Sequence, residues 1–393
     1  MYWKKNMPPR SLTVLRVLST ATVLLVVTVI SGASDQVFID TAQVKIFGAN
    51  QESHLGASSS GAGDVDGDGI SDIVVGAPGA DNRSHNTGGN AYIIRGSADI
   101  DTEIDLKFPP SDSVVVLEGA TPGDQLGFSV SNAGDVNGDG IDDFIVGAPG
   151  AVSTDPIHHE PDTGRAYIIY GSPNLPPTID VSSLGSAGIT MIGGQEDGRF
   201  GSAVSGAGDF NGDGYGDVLV GAPNEEHNQN GGAGAAYLIL GGPSLSSWMD
   251  FSTAQSGVAV FKTGGHDNRV GSSVADLEDF NGDGHTDIAI ASLRFGDAAN
   301  PAAGRAWIIF GGSTPSAEIN LNELSDSGLS GVTIRTPVAN DEVGQSISCA
   351  GDADADGDTE VLVTRSLDDH DPETIATVAY LIRGSSNPDE EIN

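Results

Sequence analysis

The sequence predicts an all-β fold, and three observations lead to that prediction. An acidic nine-residue motif occurs five times in the 393 residues, at intervals of 70 to 74 residues. Short apolar runs bounded by Gly, Pro, Asn and Asp follow each copy, a pattern typical of antiparallel strands. The 55 glycines follow no three-residue period, so they indicate many turns and exclude collagen. Four-stranded units in radial repetition form a β-propeller, whereas a sandwich has no reason to repeat at a fixed period.

Each repeat contains four predicted strands. The first is a run of small residues that ends at the acidic motif, and the second is the apolar run directly after the motif, such as Phe144–Val146. A variable polar loop leads to a third strand with an aromatic residue in register, and a further apolar run forms the fourth. The aromatic residues are Tyr92, Tyr167, Tyr237, Trp307 and Tyr380.

The two ends of the repeat series predict how the propeller closes. The fifth repeat lacks its last strand, while Gln43–Phe47 resembles that strand in the other repeats. We therefore predict a β-propeller of five four-stranded blades closed by the N-terminal strand, which would remove an exposed sheet edge. The alternative is a seven-bladed propeller in which two blades are degenerate.

The acidic motif, Asp-x-(Asp/Asn)-x-Asp-Gly-x-x-(Asp/Glu), predicts a calcium loop. Side chains at positions 1, 3, 5 and 9 converge when the Gly at position 6 turns the chain, and position 7 adds a backbone carbonyl. Oxygen-only coordination favours calcium over magnesium and offers no nitrogen or sulfur for zinc or copper. Position 12 is aliphatic in all five copies, where an EF-hand needs Glu, so the loop joins two strands. The predicted ligands of up to five Ca2+ ions are Asp64, Asp66, Asp68, Asp72, Asp135, Asn137, Asp139, Asp143, Asp209, Asn211, Asp213, Asp217, Asp279, Asn281, Asp283, Asp287, Asp352, Asp354, Asp356 and Glu360.

The alternative to a calcium loop is an acidic turn that binds no metal and is held by Asx-turn hydrogen bonds. The fifth copy departs most from the pattern. It has Ala355 where the other copies have Gly, and Glu360 where they have Asp. Metal binding is therefore left open for the fifth loop in particular.

Charge and the N-terminal segment restrict the possible partners. A net charge of −38 disfavours nucleic acid, which requires clustered Lys and Arg, and suits solubility, a salty habitat or cation binding. Residues 1–33 have a basic start, the apolar run Val17–Ile30 and small residues at Ser31–Ala33, which predict a secretory signal peptide. An uncleaved anchor is the alternative. We expect residues 34–393 to form one domain that is secreted, periplasmic or on the cell surface, without membrane contact once the signal is removed. Cys349 is the one cysteine, so no intramolecular disulfide can form.

With these residues assembled, the chain resembles the FG-GAP repeat family, the blades of the integrin alpha-chain propeller. The matching features are Phe200-Gly201 and the Val-Gly-Ala-Pro segments, with the acidic motif between them. Those segments are Val75–Pro78, Val146–Pro149 and Val220–Pro223. The resemblance covers about residues 37 to 385 and implies a β-propeller that binds protein or matrix ligands. Integrin propellers have seven blades, and here the last two repeats carry Ala291-Ser292 and Thr364-Arg365 instead of Gly-Ala.

These features predict an exported, calcium-binding adhesion or ligand-binding module rather than an enzyme. In a four-stranded blade the acidic loops leave at one face, so the variable loops Gly79–Gly89, Gly150–Gly164, Asn224–Gly234 and Arg294–Gly304 lie at the other. Variable loops on a rigid scaffold often carry recognition, here of a protein, matrix or glycan ligand. The sequence contains no His-Glu-x-x-His and no Gly-x-Ser-x-Gly, although His158, His159 and Glu160 could hold a metal. A hydrolase with a site in the channel and a purely structural surface protein are the alternatives.

Overall fold

The computed structural model describes most of the chain that follows the predicted signal peptide. The described residues are 44–50, 52–80, 88–152, 163–226, 232–265, 267–296, 302–336, 338, 340–365, 378–385 and the backbone of 391–392. The signal peptide and Gln43 therefore lie outside the described residues.

The described residues form short strands, numbered here in chain order. The segment up to the end of the first repeat forms β1 (Lys45–Phe47), β2 (Ser59–Gly63), β3 (Asp72–Ala77), β4 (Asn90–Ile94), β5 (Glu103–Asp105) and β6 (Val114–Glu118). The second repeat forms β7 (Ser129–Gly134), β8 (Asp143–Ala148), β9 (Arg165–Ile169), β10 (Thr178–Asp180) and β11 (Gly188–Ile192). The third forms β12 (Ala203–Gly206), β13 (Val218–Ala222), β14 (Ala235–Ile239), β15 (Trp248–Asp250) and β16 (Val258–Lys262).

The remaining elements belong to the last two repeats and to three short 3-10 helices. The fourth repeat forms β17 (Val270–Asp276), β18 (Ile288–Ser292), β19 (Arg305–Ile309), β20 (Glu318–Asn320) and β21 (Gly331–Arg335). The fifth forms β22 (Ser346–Gly351), β23 (Glu360–Arg365), β24 (Val378–Ile382) and β25 (Glu391–Ile392). The 3-10 helices are Val181–Ser183, Gly185–Ala187 and Leu324–Ser327.

In each of the first four repeats, four strands form an antiparallel sheet, here termed a blade. Blade 2, for example, runs β7, β8, β9 and β11, with Val146 opposite both Val130 and Tyr167. We use the terms inner, second, aromatic and outer strand for the four positions in that order. The all-β propeller architecture and the four predicted strands per repeat are confirmed by these sheets.

Each outer strand gains a further neighbour that the sequence did not predict. A short flanking strand of the next repeat pairs with it in parallel, as in Ile179 of β10 opposite Leu117 of β6. The same parallel pairing joins β15 to β11, β20 to β16 and β25 to β21. Two or three residues are too few to show a periodic pattern, so these strands could not be predicted from the sequence.

The N-terminal strand does not close the fifth blade, which corrects the prediction. β1 pairs in parallel with β5, with Ile46 opposite Ile104, while the fifth sheet consists of β22, β23 and β24 among the described residues. β1 does hold an outer-strand position, because it pairs with a flanking strand as every outer strand does. Its partner lies on the first blade, however, and no strand pairing joins the first blade to the fifth among the described residues. The structure describes five blades without closing a ring, so the blade number of a closed fold stays a prediction.

The blades bury their sheets on both faces. All residues of β13 and β14 are buried, and equivalent strands in blades 1 to 4 are nearly as well covered. This double burial explains why the second and aromatic strands show continuous apolar runs instead of alternation. The blade core therefore fixes the strands that carry the acidic loops.

Glycines let successive blades approach closely. A Cβ atom on Gly147 would lie 2.0 Å from the carbonyl oxygen of Gly201, so any side chain would push the two blades apart. Gly147 belongs to the Val-Gly-Ala-Pro segment and Gly201 to the apolar-Gly pair of the next repeat. The two most recognisable glycines of the repeat are therefore the two sides of one blade junction.

Candidate functional site

The acidic loops join the inner strand to the second strand of each blade and are folded by their own hydrogen bonds. In the third loop, Asp209 accepts hydrogen bonds from the N–H groups of Asp213 and Gly214, both at 2.8 Å. Asn211 Oδ1 accepts from the Asp213 N–H at 2.9 Å, and Asp213 Oδ1 accepts from the Tyr215 N–H at 3.1 Å. Bonds to the first motif residue recur in all five loops. These bonds gather carboxylate and amide oxygens around one turn.

The ninth motif residue ties each of the first four loops to its own blade. Asp217 is fully buried, and its two oxygens accept hydrogen bonds from the N–H groups of Phe210 at 3.0 Å and Gly241 at 2.8 Å. Gly241 follows the aromatic strand, so one carboxylate links the loop to two strands. The same pair of bonds holds Asp72, Asp143 and Asp287.

Burial makes these carboxylates hard to ionise without a cation. Desolvation raises the pKa of Asp72 to about 6 and the pKa values of Asp143, Asp217 and Asp287 to about 7. Neighbouring carboxylates add to the rise, whereas the backbone N–H groups oppose it. A bound divalent cation would counter both desolvation and like-charge repulsion. The donor set consists of oxygens, so the loops fit a hard cation of the calcium type.

The fifth loop lacks one of these anchors. Glu360 Oε2 accepts a hydrogen bond from the Ala353 N–H at 2.6 Å, but Oε1 is buried without a hydrogen-bond partner. In the other four loops the corresponding second oxygen accepts the N–H of the glycine two residues after the aromatic strand. The longer Glu side chain has therefore replaced a two-point anchor with a one-point anchor.

Carboxylates come closest together in the first and fifth loops. Three residues in each place carboxylate oxygens within 4.8 Å of one another: Asp64, Asp66 and Asp72 in the first, and Asp352, Asp354 and Asp356 in the fifth. No other three carboxylates lie so close among the described residues, because position 3 is Asn in the middle loops. The predicted ligands Asp68 and Glu360 stand outside these two groups.

An arginine accompanies the additional carboxylate in these two loops. Arg95 Nε lies 3.4 Å from Asp66 Oδ2, and Arg383 Nη1 lies 3.2 Å from Asp354 Oδ2. Where position 3 is Asn, the residue at the arginine position is Tyr170, Leu240 or Phe310. The pairing compensates the extra negative charge. Sequence reasoning missed it, although both residues occur at fixed offsets within the repeat.

The opposite end of each blade carries the connections between repeats and the variable loops. Gly164 forms a parallel bridge with Phe200, and Gly234 forms one with Val270, so each variable loop returns beside the start of the next inner strand. The predicted separation of acidic and variable loops is therefore seen at the described loop ends. The loop centres, residues 81–87, 153–162, 227–231 and 297–301, lie outside the described residues, and so do His158, His159 and Glu160.

One position on this loop face has an unusual backbone in every repeat. The residue before the apolar-Gly pair has a φ angle between +48° and +60°, a region that residues other than Gly rarely adopt. The five residues are His54, Gln125, Arg199, Arg269 and Glu342. Their backbone is constant while their side chains differ in charge and size. Sequence reasoning missed this row, because glycine, its usual signal, is absent from it.

Comparison with known proteins matches these features to one family. The FG-GAP repeat matches residues 56–94, 126–169, 200–239 and 270–309, which contain the first four acidic loops. The chain therefore contains four FG-GAP repeats. The fifth repeat, which lacks the Gly-Ala pair and carries Glu360, is not among the matched segments.

Relatives of this FG-GAP protein include integrin alpha chains and a phospholipase. Integrin alpha pat-2 of Caenorhabditis elegans is 29% identical over 357 residues, which cover 88% of this chain and 26% of that protein. Integrin alpha-PS2 of Drosophila melanogaster is 31% identical over 210 residues, covering 53% of this chain and 13% of the relative. Phosphatidylinositol-glycan-specific phospholipase D of Bos taurus is 33% identical over 201 residues, which cover 51% of this chain and 22% of that protein. The chain thus spans about a quarter or less of these relatives.

Among the residues that the structure describes, no helix combines the length and the apolar character needed to cross a bilayer.

Proposed function

We propose that this FG-GAP protein is an exported, calcium-stabilised adhesion or ligand-binding module. In this proposal calcium occupies the acidic loops, and a protein, matrix or glycan ligand binds the opposite loop face. The observation that carries the proposal is the difference between the loops at the two ends of each blade. One end repeats the same oxygen-rich loop, and the other presents varied side chains from a constant backbone.

Calcium binding is supported by the chemistry of the loops. Each loop offers Asp, Asn or Glu oxygens at the motif positions and a backbone carbonyl at position 7. Burial raises the pKa of Asp217 to about 7, and a bound cation would favour the ionised form of this carboxylate and of its equivalents. The integrin alpha and phospholipase relatives share these repeats, but their names identify no ion.

Ligand binding on the loop face is supported by the side chains of the five residues that precede the apolar-Gly pairs. Arg199 and Arg269 lie on adjacent junctions, and the Arg199 guanidinium lies 5.8 Å from the ring centre of half-exposed Phe128. A planar cation beside an aromatic ring is a common recognition pair. The similarity to integrin alpha chains favours an adhesion role, which we extend to this chain as part of the proposal.

The calcium part is tested by metal analysis and by titration of the metal-free chain with Ca2+. We expect up to five ions per chain, and we expect chelation to lower the thermal midpoint markedly, since calcium binds the folded state. Asp139→Ala should lower the calcium count by one, whereas Asp112→Ala, at an exposed acidic residue outside the loops, should not. An unmoved midpoint after chelation would show that the loops are metal-free turns.

The ligand part is tested on a panel of immobilised matrix proteins and glycans, with and without calcium. We expect saturable binding that falls at least tenfold in the double variant Arg199→Asn/Arg269→Asn, because Asn keeps the left-handed backbone while removing the cation. Asp112→Ala is again the matched control. Binding that survives the double variant would place the ligand elsewhere, and no binding to any member would favour a purely structural protein.

A second candidate function is hydrolysis, favoured by the similarity to phosphatidylinositol-glycan-specific phospholipase D. The matched region covers 22% of the bovine enzyme and 13% of the human enzyme, so the activity in that name does not follow for this chain. Turnover on a glycan and ester panel, abolished by a single substitution, would favour this candidate over adhesion.

A further inference from the structure

Each acidic loop from the second onward contacts the acidic loop of the preceding repeat. The side chain at motif position 7 lies against the glycine at position 4 of the loop before it. A Cβ atom on Gly138 of the second loop, for example, would clash with the Tyr215 ring of the third. The other pairs are Gly67 with Ile141, Gly212 with His285 and Gly282 with Asp358, where that Cβ atom would lie 3.7, 3.4 and 2.8 Å from the side chain. Glycine at position 4 therefore lets the loops of neighbouring blades meet side by side.

A second contact links motif position 8 to position 1 of the preceding loop. Asp142 Oδ2 of the second loop accepts a hydrogen bond from the N–H of Asp64 in the first loop at 2.9 Å. At the next junction the Gly216 N–H donates to the Asp135 carbonyl, also at 2.9 Å. Because the carboxylate at position 1 accepts the N–H groups that fold its loop, this contact reaches the residue around which the preceding loop is built.

The backbone holds neighbouring loops in this arrangement. At each junction between consecutive described repeats, an N–H after the aromatic strand of one blade donates to the carbonyl at motif position 2 of the preceding loop. The bonds are Ser172 to Val65 at 2.8 Å, Gly242 to Val136 at 2.8 Å, Gly312 to Phe210 at 2.7 Å and Ser385 to Phe280 at 3.1 Å. Each of the first four loops is therefore fastened to the next blade as well as to its own.

These contacts involve the positions that the proposed function assigns to calcium. Position 1 is a proposed ligand, and position 4 lies between the proposed ligands at positions 3 and 5. On the other side of the contact, position 7 would supply its carbonyl, and position 8 lies between positions 7 and 9. A loop ordered by a bound cation therefore holds positions 7 and 8 in place against the loop before it. That loop then loses less conformational entropy when it binds its own cation, and by linkage the coupling acts equally in both directions.

We propose that neighbouring acidic loops bind calcium cooperatively, and that Tyr215 and Asp142 are positioning residues for the loops that precede their own. This inference rests on the proposed calcium binding and goes beyond it, because independent loops would bind the same number of ions. Tyr215 acts on the second loop through Gly138, and Asp142 acts on the first loop through the Asp64 N–H. Neither side chain is a predicted ligand of its own loop, so its removal leaves every ligand set intact.

Calorimetric titration of the metal-free full chain with Ca2+ tests the coupling between the second and third loops. Tyr215→Ala removes the ring that lies against Gly138, whereas Tyr215→Phe keeps the ring and is the conservative variant. Phe108→Ala, at a residue 75% exposed in the first repeat, is the matched control for loss of an aromatic side chain. Each variant is also combined with Asp139→Ala, which removes a proposed ligand from the second loop and completes a double-mutant cycle. Circular dichroism confirms that each variant is folded.

We expect Tyr215→Ala to bind as many ions as the parent, with binding to at least one loop weakened by about fivefold or more. Tyr215→Phe and Phe108→Ala should match the parent. In the Asp139→Ala background Tyr215→Ala should have no further effect, because the loop to which it couples no longer binds calcium. Weaker binding in both backgrounds would show that Tyr215 serves only its own loop and would overturn its positioning role. An unchanged titration in Tyr215→Ala would overturn it as well.

Asp142 provides an independent test at the first junction. Asp142→Ala removes the acceptor of the Asp64 N–H and should weaken binding to at least one loop by about fivefold or more. Asp142→Asn keeps an acceptor oxygen at this place and should bind calcium as the parent does. In a chain that carries Asp68→Ala in the first loop, Asp142→Ala should have no further effect. Equal losses in Asp142→Ala and Asp142→Asn would assign the effect to charge and overturn the positioning role.

The same titrations separate failure of this inference from failure of the proposed function. A parent chain that binds no calcium would overturn the proposed calcium binding and the coupling together. Calcium binding that neither Tyr215→Ala nor Asp142→Ala changes would leave the proposed function standing and overturn only the coupling.

Discussion

The third and fifth repeats share one sequence pattern but differ in how completely their structure satisfies it. In the third, Asp217 accepts two backbone N–H groups, and Tyr237 is buried with its hydroxyl 2.6 Å and 2.7 Å from the Glu225 oxygens. In the fifth, Glu360 leaves one oxygen unpaired, and Tyr380 is exposed on an edge strand. The same sequence pattern therefore contributes differently to stability in a complete blade and in one without an outer strand among the described residues.

The difference teaches that the outer strand completes a blade. Tyr237 is enclosed by the outer strand β16 and by Phe251, whose ring centre lies 5.0 Å away. Tyr380 occupies the same position in the sequence and has no strand on that side among the described residues. Burial of the aromatic side chain, and with it the contribution of its hydrogen bond, therefore depends on a complete blade.

The largest contrast is expected from removal of the ninth motif carboxylate. Asp217→Ala leaves the buried N–H groups of Phe210 and Gly241 without their acceptor, which should cost about 2–6 kcal/mol of unfolding free energy. Glu360→Ala leaves only the Ala353 N–H and should cost about half as much. Denaturant unfolding with a chelator present measures both. Equal losses of unfolding free energy would contradict the proposed difference between the two-point and the one-point anchor.

A smaller contrast is expected in the calcium contribution to stability. Asp213→Ala removes a proposed ligand from an anchored loop. At a calcium concentration 100 times the dissociation constant, the variant should lose about 2.7 kcal/mol of the unfolding free energy that calcium binding adds. Asp356→Ala in the fifth loop should cost less, because that loop is held at fewer points. The measurement is the gain in unfolding free energy on adding calcium. A larger loss from Asp356→Ala would reverse the order of the two loops.

At the aromatic position, the loss of unfolding free energy should differ between the third and the fifth repeat by about 1–2 kcal/mol. Tyr237→Phe removes a buried hydroxyl that donates to Glu225, whereas Tyr380→Phe changes an exposed ring. Thermal unfolding should therefore separate the third repeat from the fifth, with little effect of Tyr380→Phe. Indistinguishable midpoints for the two variants would mean that the Tyr237 hydroxyl contributes nothing.

A further contrast concerns pH. Burial raises the pKa of Glu225 to about 7, so the folded chain holds this proton more tightly than the unfolded chain does. The unfolding free energy then falls as pH rises from about 4.5 to about 7. Glu225→Gln removes that fall, so the variant should gain stability relative to the parent across this window. Glu226→Gln, at the exposed neighbouring residue, is the control and should track the parent at every pH.

Much of the fold and of the candidate site was predictable because it depends on neighbouring residues. The acidic motif and its turn involve nine consecutive positions, and the strands follow from apolar runs between turn residues. The predicted ligands Asp64, Asp66 and Asp72 do come together. The pairing of Arg95 with Asp66 and the left-handed backbone of Arg199 were missed, because they arise between strands and at blade junctions.

The sequence by itself determined the five repeats, their strands, the acidic loops and the family. Only the tertiary structure decided which strand edges meet: it placed β1 on β5 instead of β24, added the flanking strands and left Tyr380 exposed. The physical reason is distance along the chain. Turn and strand signals act over a few residues, whereas edge pairing joins residues tens of positions apart and depends on how each blade packs against the next.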